Sequence, residues 1–353
     1  MRIAQIAPLF ESVPPSGYGG TERVVSYLTE ALVDEGHEVT LFASGDSSTR
    51  ARLVPVCERS LRLAAQRPEW LMWQTMMLDR VFSMAEQFDV IHFHTEFLHY
   101  PLARRCKTPI VTTLHGRLDL PDLGPLHRYF RDARLVSISD NQRLPLQAAN
   151  WQATVHHGIP ESLYHTHTEP LDYFAFVGRI SPEKRVDRAI KIALACETRL
   201  RIAAKIDPAD EAYLEREIRP WLEHPLIEFV GEIGDAEKNT FLGQARALLF
   251  PIDWPEPFGL VMIESFACGT PVIAYDCGSV REVMEDGVTG FIVQDTREAI
   301  AAARRVGEVS RQGCRAAFER RFTAKEMARN YLDVYRRLVD DKIAPRQVDV
   351  ATR

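Results

Sequence analysis

The chain has 353 residues, of which 46% are hydrophobic and 26% charged, with a formal net charge of −6. This is an ordinary composition for a globular protein, and the length suits two domains at about 100–200 residues each. The acidic balance argues against general nucleic-acid binding, which needs a basic surface. Six cysteines, none in a Cys-x-x-Cys pair, fit reduced thiols better than a disulfide framework or a zinc site. The apolar run at the N-terminus is too short for a signal peptide. No stretch approaches the ~20 apolar residues of a membrane-spanning helix. A cytoplasmic location is expected.

Short apolar runs alternate with helical patterns along the whole chain, the mark of parallel α/β architecture. In the first half the strand candidates are 2–7, 38–43, 89–94, 109–114, 134–138 and 154–157. Thr21 to Glu35 reads as a helix, with Val24, Val25, Leu28, Ala31 and Leu32 as its apolar stripe and Gly36 at the C-terminal cap. Residues 70–86 read as a second helix with a wide apolar face: Trp70, Leu71, Trp73, Met76, Met77, Val81 and Phe82. Arg59, Arg62 and Arg67 precede it. Packing against the sheet is the expected role of that face, and peripheral membrane contact the alternative. A polar linker marked by Pro160 and Pro170 occupies 159–172. Strand-like runs resume at 173–177, 199–206, 226–230, 247–251, 271–275 and 290–293. The expected organisation is therefore an N-terminal domain over 1–158, the linker, a C-terminal domain over 173–323, a terminal helix over 324–342 and a tail over 343–353. Two doubly wound, Rossmann-like units would enclose a deep cleft, with ligands beyond the carboxyl ends of the strands.

The residues that carry chemistry fall on that side. After the first strand comes Ser16-Gly17-Tyr18-Gly19-Gly20-Thr21-Glu22, leading into a helix. Glycines let the backbone approach a ligand closely and turn its amides toward phosphate or sugar. Glu22 stands where a dinucleotide fingerprint needs a third glycine, so that fingerprint is missed. His115 ends another strand in Thr112-Thr-Leu-His-Gly, placed to hydrogen-bond a sugar hydroxyl. His92 and His94 alternate along one strand face. With Glu96 as the one nearby glutamate they are a weak zinc signal, and cleft lining is the expected role.

In the second half, Gly178-Arg179 and Lys184 put two cations just past a strand end. The guanidinium suits forked phosphate contacts and the ammonium acts as a compact charge. Glu256 lies just before a helix read over Leu260 to Ala267, and Glu264 lies inside it. Pro257 and Gly259 interrupt regular structure, so the amides of Phe258, Gly259 and Leu260 emerge at a helix N-terminus, a ready anion site. A ligand matching this layout carries hydroxyls at both ends and phosphate in the middle, as a nucleotide-sugar does.

These motifs closely resemble those of the retaining glycosyltransferases of family 4, which have the two-domain GT-B fold. The likeness spans nearly the whole chain. It rests on Gly19-Gly20, His115, Ser137-Ile-Ser139, Gly178-Arg179 with Lys184, Glu256-x7-Glu264, and Ala267-Cys-Gly269-Thr-Pro271-Val. The resemblance implies a nucleoside diphosphate sugar as donor and no cofactor, metal included. It implies that Arg179 and Lys184 hold the diphosphate, that Glu256 and His115 meet the donor sugar, that Phe258 to Leu260 give backbone contacts, and that Glu264 binds ribose. Lys205, where many relatives have a glycine-rich turn, is a candidate third cation. The acceptor stays open between a sugar, a lipid and a small metabolite. The rival readings are a GT-B sugar-nucleotide epimerase and a non-catalytic nucleotide-sugar-binding protein.

Overall fold

A computed structural model describes residues 1–17, 19–63 and 69–343. Tyr18, Arg67 and the expected tail from 344 onward lie outside the described residues. The first sheet contains β1 (Arg2–Ile6), β2 (Glu38–Ala43), β3 (Arg52–Pro55), β4 (Val90–Phe93), β5 (Ile110–Thr113), β6 (Leu135–Ser137) and β7 (Trp151–Thr154). The second contains β8 (Tyr173–Ile180), β9 (Arg199–Ile206), β10 (Ile227–Gly231), β11 (Ala247–Phe250), β12 (Val272–Tyr275) and β13 (Gly290–Val293). Their orders are β3-β2-β1-β4-β5-β6-β7 and β10-β9-β8-β11-β12-β13, and the pairings in both are parallel. In each sheet the first strand in sequence sits where the winding reverses, β1 between β2 and β4, β8 between β9 and β11. Ligands of doubly wound sheets bind at such switch points. The glycine loop follows β1 and Arg179 lies near the end of β8, so both reach that position through topology.

Strands covered by helices on both faces read as continuous apolar runs, and β4, β11 and β12 are buried at every position. The helix Gly20–Asp34 buries Val24, Val25, Leu28 and Leu32 against the first sheet. The long helix Ala324–Ile343 packs back on that helix and on β4. Met327, Leu332 and Leu338 are each no more than 3% exposed, and each such burial contributes about 1.5–3 kcal/mol.

Two strands differ from expectation. β3 was not foreseen: it is a half-exposed edge strand with Val54 as its one buried residue, too short a pattern to register. β7 ends at Thr154 instead of starting there. Val155 still donates its N–H to Ser137 O, but the chain then leaves the sheet, and Ile159 bridges Thr323. The helix at 70–86 ends at Ser83, and its wide apolar face divides. Met77, Leu78 and Val81 are buried, while Trp70, Leu71, Met72 and Met76 are 46–64% exposed.

Candidate active site

A cavity of about 710 Å³ opens between the two sheets. Gly19, Gly20 and His115 line it from the first; Gly178, Arg179, Lys184, Lys205, Glu256, Phe258, Gly259, Leu260 and Glu264 line it from the second. The two loops meet closely, since a Cβ on Gly20 would sit 3.8 Å from Leu260 Cδ1. Gly259 opens the helix Leu260–Ala267 at φ 81°, and a Cβ there would come within 2.9 Å of Met262 Cε. Backbone conformation and space both demand glycine at that position.

Charge is arranged in opposed pairs. Lys184 forms an ion pair with Glu256, whose carboxylate also accepts from Trp254 Nε1 at 2.8 Å. The Lys184 ammonium lies 5.3 Å from the Trp254 ring centroid, within cation–π range. Arg179 Nη2 donates to Glu183 at 3.3 Å. Its Nε lies 3.3 Å from Asp210 Oδ2, yet is buried without an aligned hydrogen bond. That guanidinium edge retains donor capacity. Glu264 is 3% exposed and accepts from Lys238 Nζ at 2.8 Å. Lys238 also lies 3.6 Å from Asp235, which pairs with Arg23 on the helix Gly20–Asp34. This network joins the second sheet's helices to the first sheet's.

His115 Nε2 lies 2.9 Å from His94 Nδ1, and its ring stacks on His157 at 5.3 Å between centroids, 16° from parallel. Burial brings the His115 imidazole down to about 3 and holds His94 and His157 well below the ordinary histidine range. They are neutral at physiological pH. They serve as hydrogen-bonding groups and do not carry charge.

Residues 165–330 match the family described as Glycosyl transferases group 1, and residues 18–144 match Glycosyltransferase Family 4. The chain is a GT4-type GT-B glycosyltransferase. It is 26% identical over 388 residues to a glycogen synthase of Mycobacterium tuberculosis, covering 90% of this chain and 92% of that one. Among solved structures it resembles AviGT4, a glycosyltransferase involved in avilamycin A biosynthesis, at a TM-score of 0.76 and 24% identity over 97% of this chain and 98% of that one. Anabaena HepE, solved in complex with UDP and glucose, superposes at a TM-score of 0.73 and 17% identity over 96% and 100% of the two chains.

The glycines, cations, glutamates and His115 named in the sequence of this glycosyltransferase as donor contacts border one cavity. His92 and His94 do not line it, contrary to expectation: they are 0% and 4% exposed and lie beneath the cleft, hydrogen-bonded to one another's neighbours. His92 lies on β4 and His94 one residue past its end; Tyr331 and Tyr335 of the C-terminal helix pack on His92, and His94 is held between Gln5 and His115. Sequence reasoning missed His157, Lys238, Arg23 and Trp254. Each gains its place through a partner distant in sequence, and no local motif marks it.

Proposed function

We propose that this glycosyltransferase moves a hexose from a nucleoside diphosphate sugar to an acceptor hydroxyl with retention of anomeric configuration. The observation that carries this reading is the set of charges brought onto one cavity. Glu256 and Glu264 line it together with Arg179, Lys184 and the segment Phe258–Leu260 at the start of a helix. Carboxylates suit hydroxyls of hexose and ribose, and the cations suit the diphosphate. HepE, described as a complex with UDP and glucose, supports a nucleotide ligand for this fold.

Negative charge builds on the leaving diphosphate as the sugar–oxygen bond breaks. Arg179, Lys184 and the amides at the start of the helix Leu260–Ala267 stabilise that charge, and Lys205 adds to the field from the end of β9. Donor binding separates Lys184 from Glu256: the ammonium turns to phosphate and the carboxylate to sugar hydroxyls. Neutral His115 hydrogen-bonds the sugar from the opposite sheet. The family resemblance implies attack on the leaving-group face, with the departing phosphate taking the acceptor's proton and no carboxylate acting as a covalent nucleophile. The acceptor is a sugar, a lipid or a small metabolite, and the reaction is placed in the cytoplasm. The exposed Trp70, Leu71, Met72 and Met76 support peripheral contact with a membrane surface.

Thermal shift across nucleoside diphosphate sugars identifies the donor, because a ligand of the folded state raises apparent stability. NMR of the product then reads its anomeric configuration. If no such donor raises the melting temperature, or if the product is inverted, the proposal is wrong. Conversion of donor alone into a second sugar-nucleotide would instead favour an epimerase.

A further inference from the structure

Beneath His115 a chain of hydrogen bonds runs through the first sheet to the C-terminal helix. From His94, whose Nδ1 faces His115, Nε2 lies 2.7 Å from Gln5 Oε1. Gln5 Nε2 donates to Tyr335 OH at 3.0 Å, and that hydroxyl lies 2.6 Å from His92 Nδ1. His92 Nε2 lies 2.7 Å from Thr113 Oγ1, and Tyr331 OH ends the chain 2.9 Å beyond. Every member below His115 is no more than 4% exposed.

A neutral imidazole has one N–H and one bare nitrogen, so each histidine in the chain passes on the donor or acceptor sense it receives. A mismatch would leave two hydrogens or two lone pairs facing each other away from water, which is costly. With the Gln5 amide oxygen toward His94, His94 Nε2 donates to it and His94 Nδ1 is left to accept from His115 Nε2. The reverse sense, in which His94 Nδ1 donates to His115 Nε2, requires turning the buried Gln5 amide. In both, His115 Nε2 is committed inward. Nδ1 then remains without a hydrogen-bond partner among the described residues, on a ring that lines the cleft and is held in plane by His157.

Resting on the glycosyl-transfer reading above, we propose that this relay commits His115 to one tautomer and presents Nδ1 to the donor sugar. Tyr335, which does not line the cleft, is thereby a positioning residue for the reaction. The helix Ala324–Ile343, packed on the first sheet, sets the hydrogen-bonding sense of a group inside the site.

Tyr335→Phe keeps the ring and deletes the hydroxyl that joins Gln5 to His92. Gln5→Met, of similar shape, cuts the relay one link nearer His115. Nitrogen-15 NMR of histidine-labelled, ligand-free protein reads the tautomer directly. The expected result is one neutral tautomer of His115 in the wild type and a mixture in both variants. With the best donor, kcat falls about three- to tenfold while KM stays within about twofold. A mixture already present in the wild type, or an unchanged His115 spectrum in folded variants, overturns the proposal whatever the rates do. The spectra need no substrate, so they fail independently of the transfer reaction. Absence of transfer by the wild type would instead refute the functional reading beneath the relay.

Discussion

Lys184→Ala separates two roles that the structure superimposes. The ammonium pairs with Glu256, and their side chains are 21% and 14% exposed. Removing it leaves the Glu256 carboxylate with Trp254 Nε1 as its remaining donor. If Lys184 also binds the diphosphate, its loss removes a charge-assisted hydrogen bond worth about 1.5–3 kcal/mol. That corresponds to about ten- to a hundredfold in rate. Turnover with the best donor should fall by at least about tenfold, and calorimetry with the free nucleoside diphosphate should show a comparable loss of affinity. Glu256→Gln should behave oppositely toward the nucleotide. It releases Lys184 from its neutralising partner, so free nucleoside diphosphate should bind as tightly or more tightly while transfer is lost. The two variants together refute the reasoning if folded Lys184→Ala keeps wild-type turnover, or if both weaken the nucleotide equally. Equal weakening would mean that the pair only shapes the loop.

Glu264→Ala should weaken nucleoside diphosphate binding about tenfold or more by calorimetry, since on the proposed reading it removes the ribose contact, and it takes from Lys238 one of its two acidic partners. Unchanged affinity would remove Glu264 from the site. Gly259→Ala should cost about 1–3 kcal/mol of stability in denaturant unfolding, because φ 81° and the 2.9 Å approach to Met262 both oppose a side chain. A neutral effect would mean the helix start is not held as described. Acid should destabilise the protein early. His92, His94, His99, His115 and His157 all have imidazoles depressed by burial, His99 and His115 to about 3. The unfolded chain therefore binds more protons between the ordinary histidine value near 6.5 and those depressed values. Stability is fully present above about pH 6.5 and is lost toward the folded values by up to about 1.4 kcal/mol per pH unit per histidine. A melting temperature that stays flat as the pH falls from about 7 to about 5 would contradict this.

Much of the architecture was legible because its signals are local. Apolar runs of strand length, separated by helical periodicity, announce a parallel sheet whichever partners the strands choose. The glycine before the helix Leu260–Ala267 and the carboxylate eight residues beyond Glu256 need a few neighbouring residues to be read. A helix N-terminus is an anion site wherever it is placed. The edge strand β3 escaped because an edge needs little burial. β7 was displaced because Val155 looks like strand interior and is in fact the last residue tied to β6 before the chain leaves.

What the sequence determined by itself was the fold class, the family likeness and many of the residues bordering the cleft. Which of those residues hold one another was decided by tertiary structure. Lys184 and Glu256 are 72 positions apart, and Gln5 meets Tyr335 across 330. Periodicity and capping act over a turn or two of chain, whereas ion pairs and hydrogen-bond relays depend on which surfaces the packed sheets and helices bring together. That is why His92 and His94, equivalent in the sequence to cleft residues, end up buried, His92 against Tyr331 and Tyr335 of the helix Ala324–Ile343.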